Sequence, residues 1–143
     1  MGQRGYSVRI QMLLTVIILL LLTGLALGQG RFSKSGSVIT DSVTGLQWRV
    51  GPDSDIDWFD ARDWVSGLGG GWRMPTLSEL ETLFDGGITD ESWGHFRNSG
   101  YCVWSSETRG SSSAYLFDFH NGYDSLINSD GAYYQRAFAV RSR

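Results

Sequence analysis

The hydrophobic positions of this 143-residue chain follow two different patterns. Residues 12–28 form one uninterrupted apolar run without a charged side chain, and a polar stretch follows at once. From residue 36 onward, apolar residues recur in short groups, either at alternate positions or three and four apart, with glycine, serine and aspartate between them. The first pattern is typical of a membrane-targeting segment, and the second predicts a domain of short strands and helices joined by turns.

The N-terminal run has the features of a secretory signal peptide. Arg4 and Arg9 precede it, and it ends with the small residues Ala26 and Gly28 at the positions that a signal peptidase recognises. We therefore predict a signal peptide over residues 1–28 and an extracytoplasmic location: secreted, periplasmic or on the cell surface. A retained membrane anchor and prepilin-type cleavage nearer the N-terminus are the alternatives. In the first of these, the protein would contact the membrane only through this segment.

Residues 29–35 are predicted to be a linker, and residues 36–143 a single domain. Alternating apolar residues on either side of Thr44 and Gly45 predict a β-hairpin at the start of the domain. Apolar residues spaced three and four apart then predict a helix that Asp57 caps.

A second helix carries the clearest local signal in the chain. Thr76 and Glu79 have the spacing of a capping box, in which each side chain bonds to the backbone N–H of the other residue. Pro75 precedes the box, and Leu80 lies on the apolar face of the helix that follows.

The second half of the domain is predicted to be β-structure. Strands are expected at residues 101–106, 115–120 and 133–140, and Asn121-Gly122 is the preferred pair for a two-residue type I′ turn. Two short helices packed on short antiparallel strands and hairpins define an α+β fold.

Composition narrows the choice of partners. The formal net charge is −3, and without residues 1–28 the chain keeps 10 basic and 15 acidic side chains, a net charge of −5. An acidic domain argues against nucleic acid, because phosphates are neutralised by basic side chains. The single cysteine, Cys102, excludes an internal disulfide. In its apolar strand we expect a buried, unreactive thiol.

Residues with catalytic or metal-binding chemistry do not form a known pattern. Asp53, Asp55 and Asp57 alternate as at the start of a calcium loop, but the rest of an EF-hand does not follow. A calcium site of another kind and a solvated acidic loop both stay open. His95 and His120 lack the spacing of zinc ligands. We therefore predict a non-enzymatic protein without a cofactor.

Two motifs connect the sequence to a known family. WRMPTLSEL at residues 72–80 is the more specific motif, and WSS at residues 104–106 is the second. With them, the sequence resembles the Lcl C-terminal domain family over residues 36–141. The resemblance implies a C-type-lectin-like fold, related in architecture to formylglycine-generating enzymes, on a secreted or surface-exposed bacterial protein. It also implies binding of sulfated polysaccharides in cell adhesion, and a homotrimer.

The closing strand departs from the family pattern. Members commonly have a cysteine and an additional basic residue there, where this chain has AFAVR at residues 137–141. Together with the net charge of −5, this difference argues against transferring the binding of sulfated polysaccharides to this protein. The enzyme relatives of the fold use paired cysteines for copper-dependent oxidation, and Cys102 alone does not support that activity.

Two sets of residues are candidates for a role. The first set belongs to the motifs and is expected to be structural, with both tryptophans and the leucine in the core: Trp72, Arg73, Pro75, Thr76, Glu79, Leu80 and Trp104. The second set lies in the late hairpins, where aromatic faces beside polar groups suit a sugar ligand. It consists of Arg109, Tyr123, Asp124, Asn128, Tyr133, Tyr134 and Arg136. A cross-strand role within the hairpins is the alternative for each of these.

The sequence therefore predicts an exported, non-enzymatic, lectin-like domain that recognises a glycan or another surface ligand in adhesion. The alternative is a structural or accessory subunit of a cell-surface assembly, such as a pilus, whose contacts are with proteins.

Overall fold

The structure is a computed structural model that describes residues 30–143, so the predicted signal peptide and its alternatives lie outside the described residues. Within this range the chain forms two helices, α1 (Trp58–Gly67) and α2 (Leu77–Asp85), and a turn of 3-10 helix at Gly94–Phe96. The strands are β1 (Phe32–Ser35), β2 (Val38–Asp41), β3 (Leu46–Val50), β4 (Cys102–Arg109), β5 (Ser113–Asp118), β6 (Tyr123–Asn128), β7 (Gln135–Arg136) and β8 (Phe138–Ser142). The predicted α+β class is confirmed. No helix in this part of the chain is long and apolar enough to cross a membrane.

The first sheet has the strand order β1-β2-β3-β8 and is antiparallel throughout. Its β2–β3 hairpin turns at Gly45, where φ is +74°, so the hairpin predicted at Thr44 and Gly45 is confirmed. β1 lies within residues 29–35, which the sequence presents as a linker. Phe32 is the single large apolar side chain of this short strand, and one such residue gives no alternation to detect.

The second sheet has the order β6-β5-β4-β7 and is antiparallel except for the parallel pair β4–β7. The prediction of one closing strand at residues 133–140 is wrong, because β7 pairs with β4 whereas β8 pairs with β3. The chain changes sheets at Ala137, whose carbonyl accepts a hydrogen bond from the Gly51 N–H (2.8 Å). Residues 135–140 are all buried, so the pattern of hydrophobic positions does not show where the chain passes from one sheet to the other.

The β5–β6 hairpin also differs from its prediction. Its loop spans residues 119–122, whereas a two-residue type I′ turn requires positive φ at both Asn121 and Gly122. Of these two, only Gly122 has a positive φ (+78°), and its N–H donates to the Asp118 carbonyl (2.8 Å). The longer loop lets Phe119 enter the core, where its side chain is fully buried.

Both helices begin as predicted. At α1, the Asp57 carboxylate accepts a hydrogen bond from the Asp60 N–H (2.8 Å). At α2, the Thr76 hydroxyl accepts from the Glu79 N–H (3.1 Å), and the Glu79 carboxylate accepts from the Thr76 N–H (2.9 Å). The predicted capping box is therefore confirmed.

The core consists of two clusters that lie on the two faces of the second sheet, because successive strand residues alternate in direction. One cluster packs against α2 and is rich in aromatic residues, including Trp48, Phe96, Phe117, Phe119 and Phe138. The other packs against α1 and includes Ala61, Val65, Cys102, Trp104 and Leu116. Leu80 and Trp104 are fully buried, as expected. Trp72 is only half-buried, so its prediction as a core residue is wrong.

Candidate functional site

Four of the residues predicted to contact a ligand lie in β4 and β6 and do not converge. Tyr123 and Asp124 are neighbours in the strand, so their side chains point to opposite faces of the sheet. Asn128 and Arg109 both lie next to Ser113, at the end of the sheet opposite to Tyr123. All four are exposed, but the structure gives them no common surface.

Arg136 lies at the other edge of this sheet, in β7, and is buried with 4% of its surface exposed. Its Nε donates to Asp53 Oδ1 (3.0 Å), its Nη1 to Asp55 Oδ1 (2.7 Å) and its Nη2 to the Ser99 hydroxyl (2.7 Å). The guanidinium is thus engaged inside the protein, where it pairs with two carboxylates and balances the charge of one of them. Arg136 was predicted to contact a ligand and instead organises the loops around it.

The acidic loop is fixed by these bonds. Hydrogen bonds from the N–H and hydroxyl of Ser99 lower the pKa of Asp53, and Arg136 lowers it further. Asp55 also binds Arg136, and Asp57 caps α1, so each carboxylate of the suspected calcium loop has a partner within the protein. Across residues 30–143, no group of three or more histidine, cysteine, aspartate or glutamate side chains is arranged to hold a metal ion.

The same network holds Tyr134 in an unusual conformation. Its φ is +63°, the only positive value for a non-glycine residue in the described range. The Tyr134 N–H donates to Asp55 Oδ1 (3.2 Å), and its carbonyl accepts from the Cys102 N–H (3.4 Å). A Cβ at Gly100 would lie 2.6 Å from the Tyr134 carbonyl oxygen and 2.8 Å from Arg136 Cγ, so only glycine fits there. The surrounding contacts therefore determine the strained backbone of Tyr134.

Three rings form an exposed surface at this end of the second sheet. The ring of Tyr134, which is 56% exposed, stacks on that of Tyr101 with centroids 5.2 Å apart and an angle of 24°. Tyr101 meets His120 edge-on at 6.4 Å. We call Tyr134, Tyr101 and His120 the aromatic row. Tyr133, which precedes Tyr134 in the chain, is 77% exposed but has no ring contact with the row.

Carboxylates adjoin the His120 end of the aromatic row. His120 Nδ1 lies 2.7 Å from Asp90 Oδ2, and the His120 N–H donates to Asp118 Oδ1 (2.8 Å). The hydrogen bond with Asp90 and the charge of that carboxylate raise the pKa of His120. Burial raises the pKa of Tyr101, and the nearby Asp118 contributes. The electrostatic surroundings of the row are therefore negative.

An open groove adjoins the row at Asp90. Its volume is about 510 Å³, within the range of small-molecule sites. Its walls come from the irregular segment before β4 and are formed by Asp90, Glu91, Ser92, Trp93, Gly94, Arg97 and Asn98. The groove therefore places polar groups beside the aromatic surface of the row.

Tyr101, His120 and Asp90 are not among the ligand contacts that the sequence predicts. They come from three separate segments of the chain, and no spacing between them signals that they meet. His120 was considered only as a zinc ligand. Tyr134 was among the predicted contacts, but its positive φ has no signature, because glycine or asparagine is expected at such a position.

The WRMPTLSEL motif makes structural contacts. Arg73 binds Glu79 through two hydrogen bonds of 2.6 and 2.8 Å. Burial alone would raise the pKa of Glu79, but the bonds from Arg73 and the Thr76 N–H outweigh it and lower that pKa. The Glu107 carboxylate accepts from the Leu77 N–H (3.1 Å) and ties the first turn of α2 to β4. Pro75 is buried beside this turn.

The two motif tryptophans differ in their surroundings. Trp104 is buried, and its indole N–H donates to the Ile56 carbonyl (2.8 Å). The half-buried ring of Trp72 is in contact with two guanidinium groups, Arg141 at 4.4 Å and Arg49 at 5.1 Å from its centroid. Cation–π contacts of this kind stabilise the edge of the first sheet.

Cys102 is buried in the core cluster that packs against α1, next to Tyr101 in the chain. Burial raises the pKa of its thiol to about 12, so the sulfur stays protonated near neutral pH. Because the thiolate is the reactive form, this agrees with the expectation of an unreactive side chain.

The fold and this site define an α+β domain with an exposed aromatic surface, supported by the buried guanidinium of Arg136 and its two exposed carboxylate partners, Asp53 and Asp55. The sequence matches the Lcl C-terminal domain family over residues 37–141, and the chain belongs to this family. The search of curated proteins gave no match.

Proposed function

We propose that the protein is an exported, non-enzymatic binding domain that recognises a glycan, or another surface ligand, through the aromatic row. The observation that carries the proposal is the conformation of Tyr134. A tyrosine held at φ +63° by hydrogen bonds to Asp55 and Cys102, with more than half of its surface exposed, costs stability without filling the core. Such a cost is typical of a residue positioned for contact with another molecule.

The chemistry of the row suits a sugar. The face of a tyrosine ring offers apolar area to the C–H face of a pyranose, while its hydroxyl remains free for hydrogen bonds. Tyr134 presents such a face, and the groove at Asp90 provides polar groups beside it. Loops supported by a rigid sheet are a common place for recognition, and the row is built on the ends of β4, β5 and β7.

A glycan-array screen tests the proposal, with protein produced from the full chain. We expect at least one glycan to bind, and Tyr134→Ala to weaken it about tenfold or more, as expected for the loss of an aromatic contact at the centre of a site. Phe59→Ala is the matched control, because Phe59 is an exposed aromatic residue on α1 that packs on Trp58. Equal losses for both variants, or no binding to any glycan, would contradict the proposal.

Export rests on the sequence of residues 1–28. If a signal peptidase cleaves after Gly28, the secreted protein begins at or close to Gln29, and N-terminal sequencing of the secreted protein shows this directly. A start at Tyr6 would indicate prepilin-type processing, and an intact Met1 a membrane anchor.

One observation favours the alternative of a subunit in a surface assembly. β6 forms an edge of the second sheet in the described chain, and its six residues 123–128 are exposed or half-buried. Unpaired edge strands can pair with a strand of another molecule. If the protein binds no glycan but forms filaments or co-purifies with a surface protein, and a proline at Ser125 abolishes this association, the assembly function replaces the binding function.

A further inference from the structure

Carboxylates flank the aromatic row at both ends. At the Tyr134 end, Asp55 accepts a hydrogen bond from the tyrosine N–H. At the His120 end, Asp90 lies 2.7 Å from the imidazole and Asp118 accepts from the backbone N–H. Any ligand that lies along the row therefore meets negative charge on either side of the rings.

The basic groups in contact with these carboxylates do not balance them. Arg136 is shared between Asp53 and Asp55, which leaves one negative charge at that end. At the other end, His120 opposes both Asp90 and Asp118, so this end is negative whether or not the imidazole is protonated. The adjoining groove adds Glu91 and Arg97, whose charges cancel.

We infer that the aromatic row selects glycans that carry protonated amino groups over neutral glycans and over sulfated ones. This inference rests on the proposed function, because it names the ligand class of the same site. The ring face of Tyr134 attracts a cation through its π-electrons. A carboxylate accepts several hydrogen bonds, and Asp90 Oδ1 has no hydrogen-bond partner in the described part of the chain, so it can receive an ammonium group.

A sulfate group would be repelled at the same place. Its negative charge would approach Asp90 and Asp118, while Arg136 is buried and occupied by Asp53 and Asp55. Like charges brought together in a binding site reduce affinity and exclude the wrong partner. The charge of the row thus provides selectivity among ligands that share the same pyranose ring.

Three oligosaccharides of equal length test the inference: a glucosamine oligomer, its N-acetylated counterpart and a sulfated counterpart. Affinities are measured by calorimetry on protein produced from the full chain, at a pH where the amines are protonated. We expect the glucosamine oligomer to bind about fivefold tighter than the neutral one, the effect of one or two solvent-exposed ion pairs. Its advantage should shrink with added salt, because salt screens exposed charges.

Two isosteric variants test whether the carboxylates of the row cause the preference for the glucosamine oligomer. Asp90→Asn and Asp118→Asn should each weaken binding of the glucosamine oligomer more than binding of the neutral one, so that the ratio of the two affinities falls from about fivefold towards one. Asp63→Asn, which removes an exposed carboxylate from α1, is the charge-matched control and should leave the preference intact.

The outcomes separate the inference from the proposed function. If the neutral or sulfated oligomer binds as tightly as the glucosamine oligomer, and Tyr134→Ala still weakens binding about tenfold or more, only the inference about charge is wrong. If the preference persists in both aspartate variants, the carboxylates of the row do not cause it and the inference is also wrong. If none of the three binds and no glycan binds on the array, both the inference and the proposed function are wrong.

Discussion

At the scale of single residues, Tyr134 connects the fold to the candidate site. An L-residue in the left-handed region places its Cβ close to its own backbone, at a cost of about 1–2 kcal/mol. The hydrogen bonds to Asp55 and Cys102 and the close packing at Gly100 offset this cost. The chain has a tyrosine where glycine would avoid this strain, which supports a role for its ring.

This strain predicts an inverted order of stability for two variants. Tyr134→Ala loses the stacking on Tyr101 and keeps the strained φ, whereas Tyr134→Gly loses the stacking and relieves the strain. We expect the glycine variant to be more stable than the alanine variant by about 1 kcal/mol in chemical denaturation, although glycine is normally the less stable of the two in ordered structure. Both variants lack the ring, so both should bind the ligand about tenfold more weakly or worse.

Tyr123 provides the matched control for that prediction. It is 72% exposed and lies in β6 with ordinary strand geometry. There the alanine variant should be the more stable one, because glycine weakens a strand. The same order of stability at both positions would show that Tyr134 is not strained.

Arg136 shows where reasoning from single residues fails. An arginine beside tyrosines in the last hairpin suggests a ligand contact. Its carboxylate partners, however, precede it by 83 and 81 positions in the chain. Pairing over that distance depends on the packing of the two sheets, so no local pattern distinguishes a buried arginine from an exposed one.

At the scale of elements, the start of α2 combines local and non-local bonds. The capping box joins Thr76 and Glu79, Arg73 binds the same glutamate, and Glu107 reaches the first turn from β4. The negative side chains also lie at the positive end of the helix dipole. This turn is therefore the point at which α2 is attached to the second sheet.

Removal of the cap should destabilise the domain measurably. Thr76→Ala leaves the Glu79 N–H without its acceptor, and we expect a loss of about 1 kcal/mol in the free energy of unfolding. Thr76→Ser keeps the hydroxyl, and because serine caps helices at least as well as threonine, it should change the free energy of unfolding by less than about 0.5 kcal/mol. Urea denaturation of the three proteins measures both changes. Equal losses for serine and alanine would mean that the methyl group of Thr76, not its hydroxyl, stabilises the helix.

The elements that the sequence predicts well have signals within a few residues. Both helix starts and the first hairpin depend on caps and on the turn at Gly45, and all three are confirmed. The segments predicted incorrectly depend on distant partners. The loop at residues 119–122 is lengthened so that Phe119 reaches the core, and the closing segment divides at Ala137 because each half pairs with a different sheet.

At the scale of the whole molecule, the sequence gives the α+β class and the family but not the site. The aromatic row exists only because β4, the β5–β6 loop and the segment before β7 end at the same place. Neither the periodicity of hydrophobic positions nor the spacing of motifs shows that these three segments come together. The family motif, by contrast, consists of residues with structural contacts, so it identifies the fold more readily than the function.

One ion pair links the start of the domain to its other elements. Asp41, at the end of β2, is buried and accepts hydrogen bonds from the Arg31 guanidinium (2.8 and 2.7 Å), the Val43 N–H and the Thr44 hydroxyl. Arg31 also donates to the Thr82 carbonyl in α2 (3.2 Å). Burial by itself would raise the pKa of Asp41, but the hydrogen bonds outweigh it and lower the pKa below its usual value.

The lowered pKa of Asp41 predicts sensitivity to acid. Its stabilising effect is complete above the pKa of an aspartate in the unfolded chain, about 3.9, and is lost as the pH falls through the lower pKa of the folded state. Asp41→Asn should cost about 2–3 kcal/mol at neutral pH, since it leaves Arg31 without its charged partner. It should also flatten the decline of stability below about pH 4. Urea denaturation at a series of pH values measures both effects.

Asp63→Asn is the control. It removes a carboxylate from an exposed pair with Arg62 and should change stability by about 0–1 kcal/mol at any pH. If the two variants behave alike, the burial of Asp41 does not strengthen its pairing, and the attachment of β1 depends on backbone pairing with β2 alone.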